Sequence, residues 1–258
     1  MTPETTLKFY DGLAEHYHLI FEDWEKSIER QANAIDRLIV PAGSATSQKI
    51  LDCSCGIGTQ ALGLARRGHR VVASDLSPKA VARAKREAQK RGLEIEFQVA
   101  DMTSLAEIAD SDFDVVASLD NALPHLEPEQ VAAAVRAIGG KLKPGGLLVA
   151  SIRDYDRLIV ERPVMQGPMF YGGGRTRRIV HQVWDWIDRE RYVLHQYVTL
   201  EEGEAWAAHH FVSTYRCLLR EELSRALEGE GFDEIRWMMP DESGYFQPLV
   251  LARRTVHG

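Results

Sequence analysis

The sequence predicts a doubly wound α/β fold, in which helices cover both faces of a mainly parallel seven-stranded sheet. Between residues 49 and 152, five short apolar runs alternate with helical segments, and this alternation is typical of parallel βαβ units. A glycine turn at Gly56 and Gly58 follows the first run, where the backbone must approach a bound nucleotide closely. Two further β-rich runs, 234–239 and 248–253, are expected to complete the sheet.

The composition is that of a globular chain and argues against several kinds of partner. Of its 258 residues, 45% are hydrophobic and 27% charged, a balance that excludes general disorder. A net charge of −7 disfavours nucleic acid. No apolar run approaches the roughly 20 residues of a membrane helix, and no signal-peptide core is apparent. Three cysteines, Cys53, Cys55 and Cys217, do not make a disulfide framework. We therefore expect a cytoplasmic protein with reduced thiols.

Each element of the core follows from a local pattern. Apolar residues recur at three- and four-residue intervals over 5–40 and predict two N-terminal helices, followed by a loop at 40–47. Ser77 and Pro78 are a helix-start signal. The predicted strands are 49–53, 70–75, 95–101, 113–119 and 147–152, and a turn at 143–146 introduces the last of them. One predicted helix follows the glycine turn and ends at residue 67, and two others span 127–142 and 220–228.

The stretch after the fifth strand departs from this alternation. Three β-rich runs, 179–186, 192–200 and 206–215, predict an antiparallel insertion. The predicted organisation is therefore an N-terminal helical cap, a core made of two segments, and a β-rich insertion that covers the substrate. These parts comprise, in that order, residues 1–45, residues 46–152 with 218–258, and residues 153–217.

Acidic residues close three successive predicted strands beside the glycine turn. Asp52 ends the first strand, Asp75 the second, and Asp101 the third. Ligands of open α/β sheets bind at these carboxyl ends. A carboxylate at Asp75 can accept both hydrogen bonds of a ribose diol. A carboxylate at Asp101 can accept a hydrogen bond from the exocyclic amine of adenine. The turn also satisfies the dinucleotide fingerprint, so a nicotinamide-dependent oxidoreductase remains an alternative.

Five motifs in order resemble those of class I S-adenosylmethionine-dependent methyltransferases, over residues 49–149. They are Leu51-Asp52-x-x-x-Gly56-x-Gly58-Thr59, Asp75, Ala100-Asp101-Met102, residues 113–121, and Leu142-Lys143-Pro144-Gly145-Gly146. The resemblance implies a Rossmann-like fold, S-adenosylmethionine as cofactor and S-adenosylhomocysteine as product. The run from Tyr10 to Trp24 resembles a segment that folds over the cofactor in many small-molecule methyltransferases. The candidate cofactor residues are Tyr17, Trp24, Asp52, Cys53, Gly56, Gly58, Thr59, Asp75, Leu76, Asp101, Met102, Leu119 and Asp120.

Two further segments are similar to glycine and sarcosine N-methyltransferases. These are residues 119–126 and Arg153-Asp154-Tyr155-Asp156. The resemblance implies that Arg153 holds a substrate carboxylate, and a guanidinium fork suits that role. A structural ion pair between Arg153 and a neighbouring acid is the alternative. We expect Arg153, Tyr155, Tyr171 and Tyr17 to bind substrate, and Asn121, His125 and Tyr215 to supply polar groups at the reacting nitrogen. His125 is a candidate base or a helix cap.

The insertion also offers an aromatic substrate box, although ordinary sheet packing explains most such residues. Its candidates are Tyr171, Trp184, Trp186, Tyr197, His209, His210 and Tyr215. Adjacent strand residues point to opposite faces, so His209 and His210 do not predict a metal site. Cys53 and Cys55 lack the second pair that zinc requires. No metal is expected.

The predicted function is transfer of a methyl group to a nitrogen of a small anionic molecule. Carbon or oxygen acceptors, and an enzyme that uses S-adenosylmethionine without methylating, remain alternatives. The predicted partner is this small molecule, with no membrane and no nucleic acid. Exposed strands in the insertion would also allow two chains to pair as a homodimer.

Overall fold

The seven strands predicted for the core lie in one sheet. The computed structural model describes residues 3–40, 47–174 and 176–256. The predicted boundary between residues 45 and 46 and most of the predicted 40–47 loop lie outside the described residues. The strands are β1 (Lys49–Asp52), β2 (Arg70–Asp75), β3 (Glu96–Val99), β4 (Phe113–Ser118), β5 (Leu142–Ser151), β10 (Phe232–Met238) and β11 (Leu249–Arg254). Their order in the sheet is β10-β11-β5-β4-β1-β2-β3.

The sheet is parallel except at one edge. Strand β1 pairs with β2 and β4 in parallel, whereas β11 runs antiparallel to both β5 and β10. The described helices are α1 (Pro3–Leu13), α2 (Trp24–Ile39), α3 (Thr59–Arg66), α4 (Pro78–Lys90), α5 (Pro128–Lys141), α6 (Tyr155–Glu161), α7 (Arg220–Gly229) and α8 (Pro240–Ser243). The predicted doubly wound fold is thus confirmed, and it brings the carboxyl ends of β1 to β4 to one edge.

The N-terminal region and the start of β5 differ from the prediction. The region 5–40 holds two helices as predicted, but a separate 3₁₀ turn, Tyr17–Ile20, lies between them. Residues 143–146, predicted as a turn before the fifth strand, lie within β5. They form an irregularity, since Phe113 pairs with Leu142 while Val115 already pairs with Leu147. The left-handed backbone of Gly145, with φ +72°, accommodates this bulge.

The insertion forms a separate antiparallel sheet of four strands, not three. Its strands are β6 (Met165–Tyr171), β7 (Arg178–Trp186), β8 (Arg191–Glu202) and β9 (Ala205–Arg216). Strand β6 was not predicted because Gly167 and Pro168 interrupt its apolar pattern. It lies at the edge of the sheet, where proline is tolerated since fewer backbone amides need a partner. One face of this sheet packs on the main core, in one cluster that includes Trp184, Tyr192 and Tyr215.

Candidate functional site

A cavity lies at the carboxyl ends of β1 to β4. Ten of the predicted site residues are among those that line it: Tyr17, Cys53, Gly56, Asp75, Leu76, Asp101, Met102, Leu119, Asp120 and His125. We refer to this space as the first cavity.

The glycine turn between β1 and α3 forms the floor of the first cavity. Gly56 has a left-handed backbone with φ +51°, and a Cβ at this position would lie 3.4 Å from Cε1 of Tyr17. Gly58 serves packing instead, because its Cβ would lie 3.2 Å from Cβ of Ala84 on α4. It begins α3 as the N-cap and does not line the cavity.

Asp75 is fixed at the end of β2 by two backbone amides. Its Oδ2 accepts from the Gly56 amide at 2.8 Å, and its Oδ1 accepts from the Ser77 amide at 2.9 Å. Burial raises the pKa of Asp75, and these amides oppose the rise. The carboxylate is therefore held rigidly at the wall of the first cavity, where it can accept hydrogen bonds from a diol.

The other two predicted strand-end acids differ in their surroundings. Asp52 is fully buried and does not line the first cavity; burial raises its pKa to about 7, and its Oδ2 has no hydrogen-bond partner among the described residues. Asp101 does line the cavity. Its Oδ1 accepts from the amide and the hydroxyl of Thr103, both at 2.8 Å, which fixes the turn after β3.

A second, larger cavity of about 2,060 Å³ opens to solvent between the core and the insertion. Tyr10, Tyr17 and Asp120 line both cavities, so the two spaces meet at these side chains. The second cavity is also lined by Asn121, Arg153 and Tyr215, three of the predicted substrate-site residues. The arrangement places the first cavity next to a chamber with its own polar groups.

The backbone is strained where the two cavities meet. Asp120 and Asn121 both have left-handed φ angles, +56° and +69°, which are uncommon for side chains other than glycine. Asp120 Oδ1 accepts from the Tyr245 hydroxyl, and burial raises the pKa of Asp120. The nearby Gln31 lines the second cavity, and its Nε2 has no partner among the described residues.

Arg153 presents a guanidinium to the second cavity from the segment after β5. Its Nη1 donates to the Tyr192 hydroxyl at 2.9 Å and its Nη2 to Oε1 of Gln182 at 3.3 Å. The Trp184 ring lies 4.7 Å from its Cζ. Burial opposes the charge, but the surrounding phenol groups, Tyr192 foremost, raise the pKa of Arg153.

The carboxylates next to Arg153 in sequence are engaged elsewhere. Asp154 and Asp156 both pair with Arg220, at 2.9 and 3.3 Å. Glu161 pairs with Arg157 at 3.4 Å. Among the ion pairs of the described residues, none includes Arg153. Arg153 therefore does not form the structural ion pair with a neighbouring acid that the sequence left as an alternative.

His125 lies in the first cavity and contacts α1. Its Nε2 lies 2.9 Å from the Tyr10 hydroxyl, and its ring centroid lies 4.1 Å from that of Tyr215. Burial, with Arg153 contributing, lowers the pKa of His125 to about 3. The imidazole is therefore neutral near pH 7 and is suited to hydrogen bonding rather than to proton abstraction from a cation.

Several predicted site residues lie outside both cavities. Trp24 Nε1 donates to Oγ1 of Thr59 at 2.9 Å, so these two contact each other. Tyr155 is fully buried and binds Nδ2 of Asn121 at 2.9 Å. The ring of Tyr171 lies 5.2 Å from the guanidinium of Arg178.

Of the predicted aromatic box, Trp184 and Tyr215 line the second cavity, whereas Trp186, Tyr197, His209 and His210 do not. His209 stacks on His16 of the N-terminal region, at 4.1 Å between centroids, while His210 stacks on Tyr197 at 4.4 Å. The two histidines thus lie on opposite faces, as predicted. No cluster of three or more His, Cys, Asp or Glu side chains in the described ranges has a geometry that could hold a metal.

Sequence reasoning missed the glutamines of the second cavity. Gln182 Nε2 donates to Oε1 of Gln196 at 2.8 Å, and Gln182 Oε1 accepts from Nε1 of Trp184 at 3.1 Å. Period-two alternation along β7 places Gln182 on the same face as Trp184, and that signal could have identified it. Gln31, on α2, carried no comparable signal.

Part of the chain is similar in sequence to known methyltransferases. Residues 50–146 match the sequence model of a family described as "Methyltransferase domain". A ubiquinone biosynthesis O-methyltransferase from Methylocella silvestris is 39% identical over 103 residues, which cover 40% of this chain and 39% of that protein. A glycine/sarcosine N-methyltransferase from Parasynechococcus marenigrum is 32% identical over 138 residues, covering 53% of this chain and 48% of the relative. The matches thus span less than half the length of these relatives.

Solved structures share the fold over nearly the whole chain. DesVI from Streptomyces venezuelae superposes with a TM-score of 0.76 at 18% identity, covering 94% of this chain and 98% of that one. CalS10 from Micromonospora echinaspora, an amino pentose methyltransferase solved with S-adenosylmethionine bound, superposes with a TM-score of 0.71 at 20% identity, covering 89% and 92%. At these identities the likeness concerns the fold alone.

Proposed function

Because residues 50–146 of this chain form a class I S-adenosylmethionine-dependent methyltransferase domain, we propose that the protein transfers the methyl group of S-adenosylmethionine to a nitrogen of a small anionic molecule. The first cavity is the proposed cofactor site and the second cavity the proposed substrate site. The N-terminal helices and the insertion of residues 153–217 are the proposed covers of these two sites.

The residues of the first cavity fit the cofactor. At Gly56, a side chain would add atoms between the turn and Tyr17, on a backbone that only glycine adopts readily. Asp75 offers a rigid acceptor for a ribose diol, and Asp101 lines the same space. S-adenosylmethionine, when bound, supplies an electrophilic methyl group on its sulfonium, so the protein mainly has to orient the acceptor and exclude water.

The observation that carries the proposal is Arg153. Its guanidinium faces the second cavity and contacts an amide oxygen, a phenol and an aromatic ring. Among the described residues, no carboxylate forms an ion pair with it. A partly buried cation without a counter-ion is costly. A substrate carboxylate or similar planar anion would supply the missing charge and a two-point contact. Asn121 Oδ1 accepts from the Arg153 amide at 2.9 Å and so positions this arginine.

A nitrogen acceptor is favoured by the carboxylate where the cavities meet. Asp120 lines both cavities, so it lies where the acceptor atom must approach the methyl donor. An amine donates hydrogen bonds to a carboxylate, and the raised pKa of Asp120 makes it a better proton acceptor. The glycine/sarcosine N-methyltransferase also matches a longer stretch, 138 residues, than the ubiquinone enzyme, 103 residues.

The test is incubation of the purified protein with S-adenosylmethionine and paired acceptors, amino carboxylates and their decarboxylated amines. Mass spectrometry should find one added methyl group on nitrogen of a carboxylate acceptor. Arg153→Ala should raise the KM for that acceptor by about 10- to 100-fold, since hydrogen bonds to charged groups contribute about 1.5–3 kcal/mol. Decarboxylated acceptors should be unaffected.

Arg157→Ala is the matched control, because Arg157 also lines the second cavity but pairs with Glu161. Its KM for the carboxylate acceptor should stay near that of the unaltered protein. Methylation at oxygen or carbon would contradict the nitrogen acceptor. Loss of S-adenosylmethionine without methylation of any acceptor would contradict methyl transfer altogether.

A further inference from the structure

The segment that covers both cavities packs on the core through Tyr17 and Phe21, but most of it is only partly buried. Residues 14–23 join α1 to α2, and their 3₁₀ turn, Tyr17–Ile20, contains no buried residue. Yet Tyr17 reaches from this turn over Gly56 and lines both cavities. Partly buried segments open more readily than the core, so a polar contact can decide how long this segment stays closed. We call residues 14–23 the cover segment.

One arginine of the insertion binds the cover segment. Arg178 Nε donates to the Leu19 carbonyl at 2.8 Å, and its Nη2 donates to the carbonyls of Phe21 at 2.6 Å and Glu22 at 2.9 Å. Carbonyls at the end of a helical turn lack partners within it, and here a guanidinium supplies the donors. This contact joins parts of the chain more than 150 residues apart.

The same arginine lies on the strand that supplies one wall of the second cavity. Alternation along β7 places Arg178 on the face that carries Val180 and Gln182, and both line that cavity. The ring of Tyr171 braces the guanidinium at 5.2 Å. The Tyr171 hydroxyl donates to Sδ of Met169 at 3.1 Å, and Met169 lines the cavity as well. Tyr171, which was predicted to bind substrate, therefore lies outside the cavity and contacts Arg178 instead.

We propose that Arg178 is a positioning residue that fastens the cover segment to the substrate wall and thereby holds Tyr17 over both cavities. Release of its three hydrogen bonds frees the cover segment, which lets S-adenosylmethionine enter and S-adenosylhomocysteine leave. This inference rests on the proposed function for its ligand, but the fastening itself is a property of the protein alone. An occupant of the second cavity that moves β7 would alter the hold on the cofactor site.

The experiment compares Arg178→Met and Arg178→Lys with Arg177→Met. Arg177 is the matched control because it is the neighbouring arginine, pairs with Glu201 at 2.8 Å, and contacts neither cavity. Amide hydrogen exchange over residues 14–23 is measured without ligand. The dissociation rate of S-adenosylhomocysteine is measured by stopped-flow fluorescence.

For Arg178→Met we expect exchange in the cover segment and dissociation of S-adenosylhomocysteine to become at least about tenfold faster, since one hydrogen bond to a charged group is enough for that factor. Arg178→Lys should lie between Met and the unaltered protein, and Arg177→Met should change neither rate. Unchanged exchange in Arg178→Met would overturn the proposal, as would faster exchange spread over the whole chain. If no protein in the set binds S-adenosylhomocysteine, the proposed function fails, while the exchange data still decide whether Arg178 fastens the cover.

Discussion

The Tyr10 hydroxyl lies 2.9 Å from Nε2 of His125, and this contact fastens α1 to the turn after β4. Tyr10 lines both cavities, so the contact closes α1 over them. It is a second fastening of the N-terminal region, independent of Arg178. A ring edge contact, with 5.4 Å between centroids, accompanies the hydrogen bond.

Tyr10→Phe should weaken S-adenosylhomocysteine binding by about three- to tenfold, because it removes one hydrogen bond worth about 0.5–1.5 kcal/mol and retains the ring. Isothermal titration calorimetry measures the change. Tyr197→Phe is the control, since Tyr197 stacks on His181 and His210 away from both cavities. Equal affinity in the Tyr10 and Tyr197 variants would show that the Tyr10 contact does not contribute to binding.

The pKa of His125 predicts how stability depends on pH. It is lowered to about 3 in the folded chain, mainly by burial, against about 6.5 in an unfolded one. The unfolded state therefore binds this proton first, so the stability that neutral His125 contributes is present above about pH 6.5 and is lost as pH falls toward 3. A fully effective site loses about 1.4 kcal/mol per pH unit in this window.

Urea unfolding at pH 7, 6 and 5 tests this prediction. The unaltered protein should lose more stability over the range than His125→Gln, whose side chain does not titrate. His16, His18 and His210 also have lowered pKa values, but they are present in both proteins and cancel. The same pH dependence in both proteins would mean that His125 titrates normally or is hydrated.

Much of the lining of the first cavity could be predicted from sequence, because these residues lie at or just after the ends of the strands that hold them. Asp75 ends β2 and Asp101 lies two residues after β3, and parallel strands bring their carboxyl ends to one edge. The lack of an ion pair between Arg153 and the neighbouring carboxylates could not be predicted. It depends on Arg220, on α7, taking both Asp154 and Asp156, and that pairing is set by how α7 docks.

Residues of the insertion were harder to place for a related reason. Tyr171 and Trp184 are both aromatic strand residues, and nothing local distinguishes them. The register of β6 on β7 pairs Tyr171 with Arg178 at the edge of the sheet, whereas Trp184 stacks at 4.5 Å on Tyr192 near the core. Trp24 likewise donates to Thr59 because α2 packs on α3. Such a contact depends on how two helices pack and is not visible in a sequence motif.

Gln182 is predicted to position Arg153 for the proposed substrate carboxylate. Its Oε1 accepts from both Arg153 and Trp184, and Gln196 orients the amide. Gln182→Met keeps the size but removes the acceptor, so the guanidinium should lose its orientation. We expect the KM for the carboxylate acceptor to rise about three- to tenfold with little change in kcat or in S-adenosylhomocysteine affinity.

Steady-state kinetics with a carboxylate acceptor and its decarboxylated analogue measures this effect. His181→Gln, the neighbouring position on the opposite face of β7, is the control and should leave the KM unchanged. A parallel loss with both acceptors would show that Gln182 supports the wall of the cavity rather than the orientation of Arg153.

Gly58 and Gly68 separate two reasons for a glycine. Both have the same left-handed backbone, with φ +92° and +90°. A Cβ on Gly58 would lie 3.2 Å from Cβ of Ala84 and 3.3 Å from Cγ of Leu62, whereas no atom lies within 4 Å of one on Gly68. Gly68→Ala should therefore cost about 1–2 kcal/mol of unfolding free energy from backbone strain alone. Gly58→Ala should cost about 1–3 kcal/mol more, because α3 and α4 must also move apart.

Urea unfolding of the two variants measures this difference in unfolding free energy directly. The affinity for S-adenosylhomocysteine should fall only for Gly58→Ala, since a shift of α3 displaces the turn that carries Gly56. Equal destabilisation of both variants would mean that the contact between α3 and α4 yields without cost, and the close approach of these helices would then not be the reason for glycine at this position.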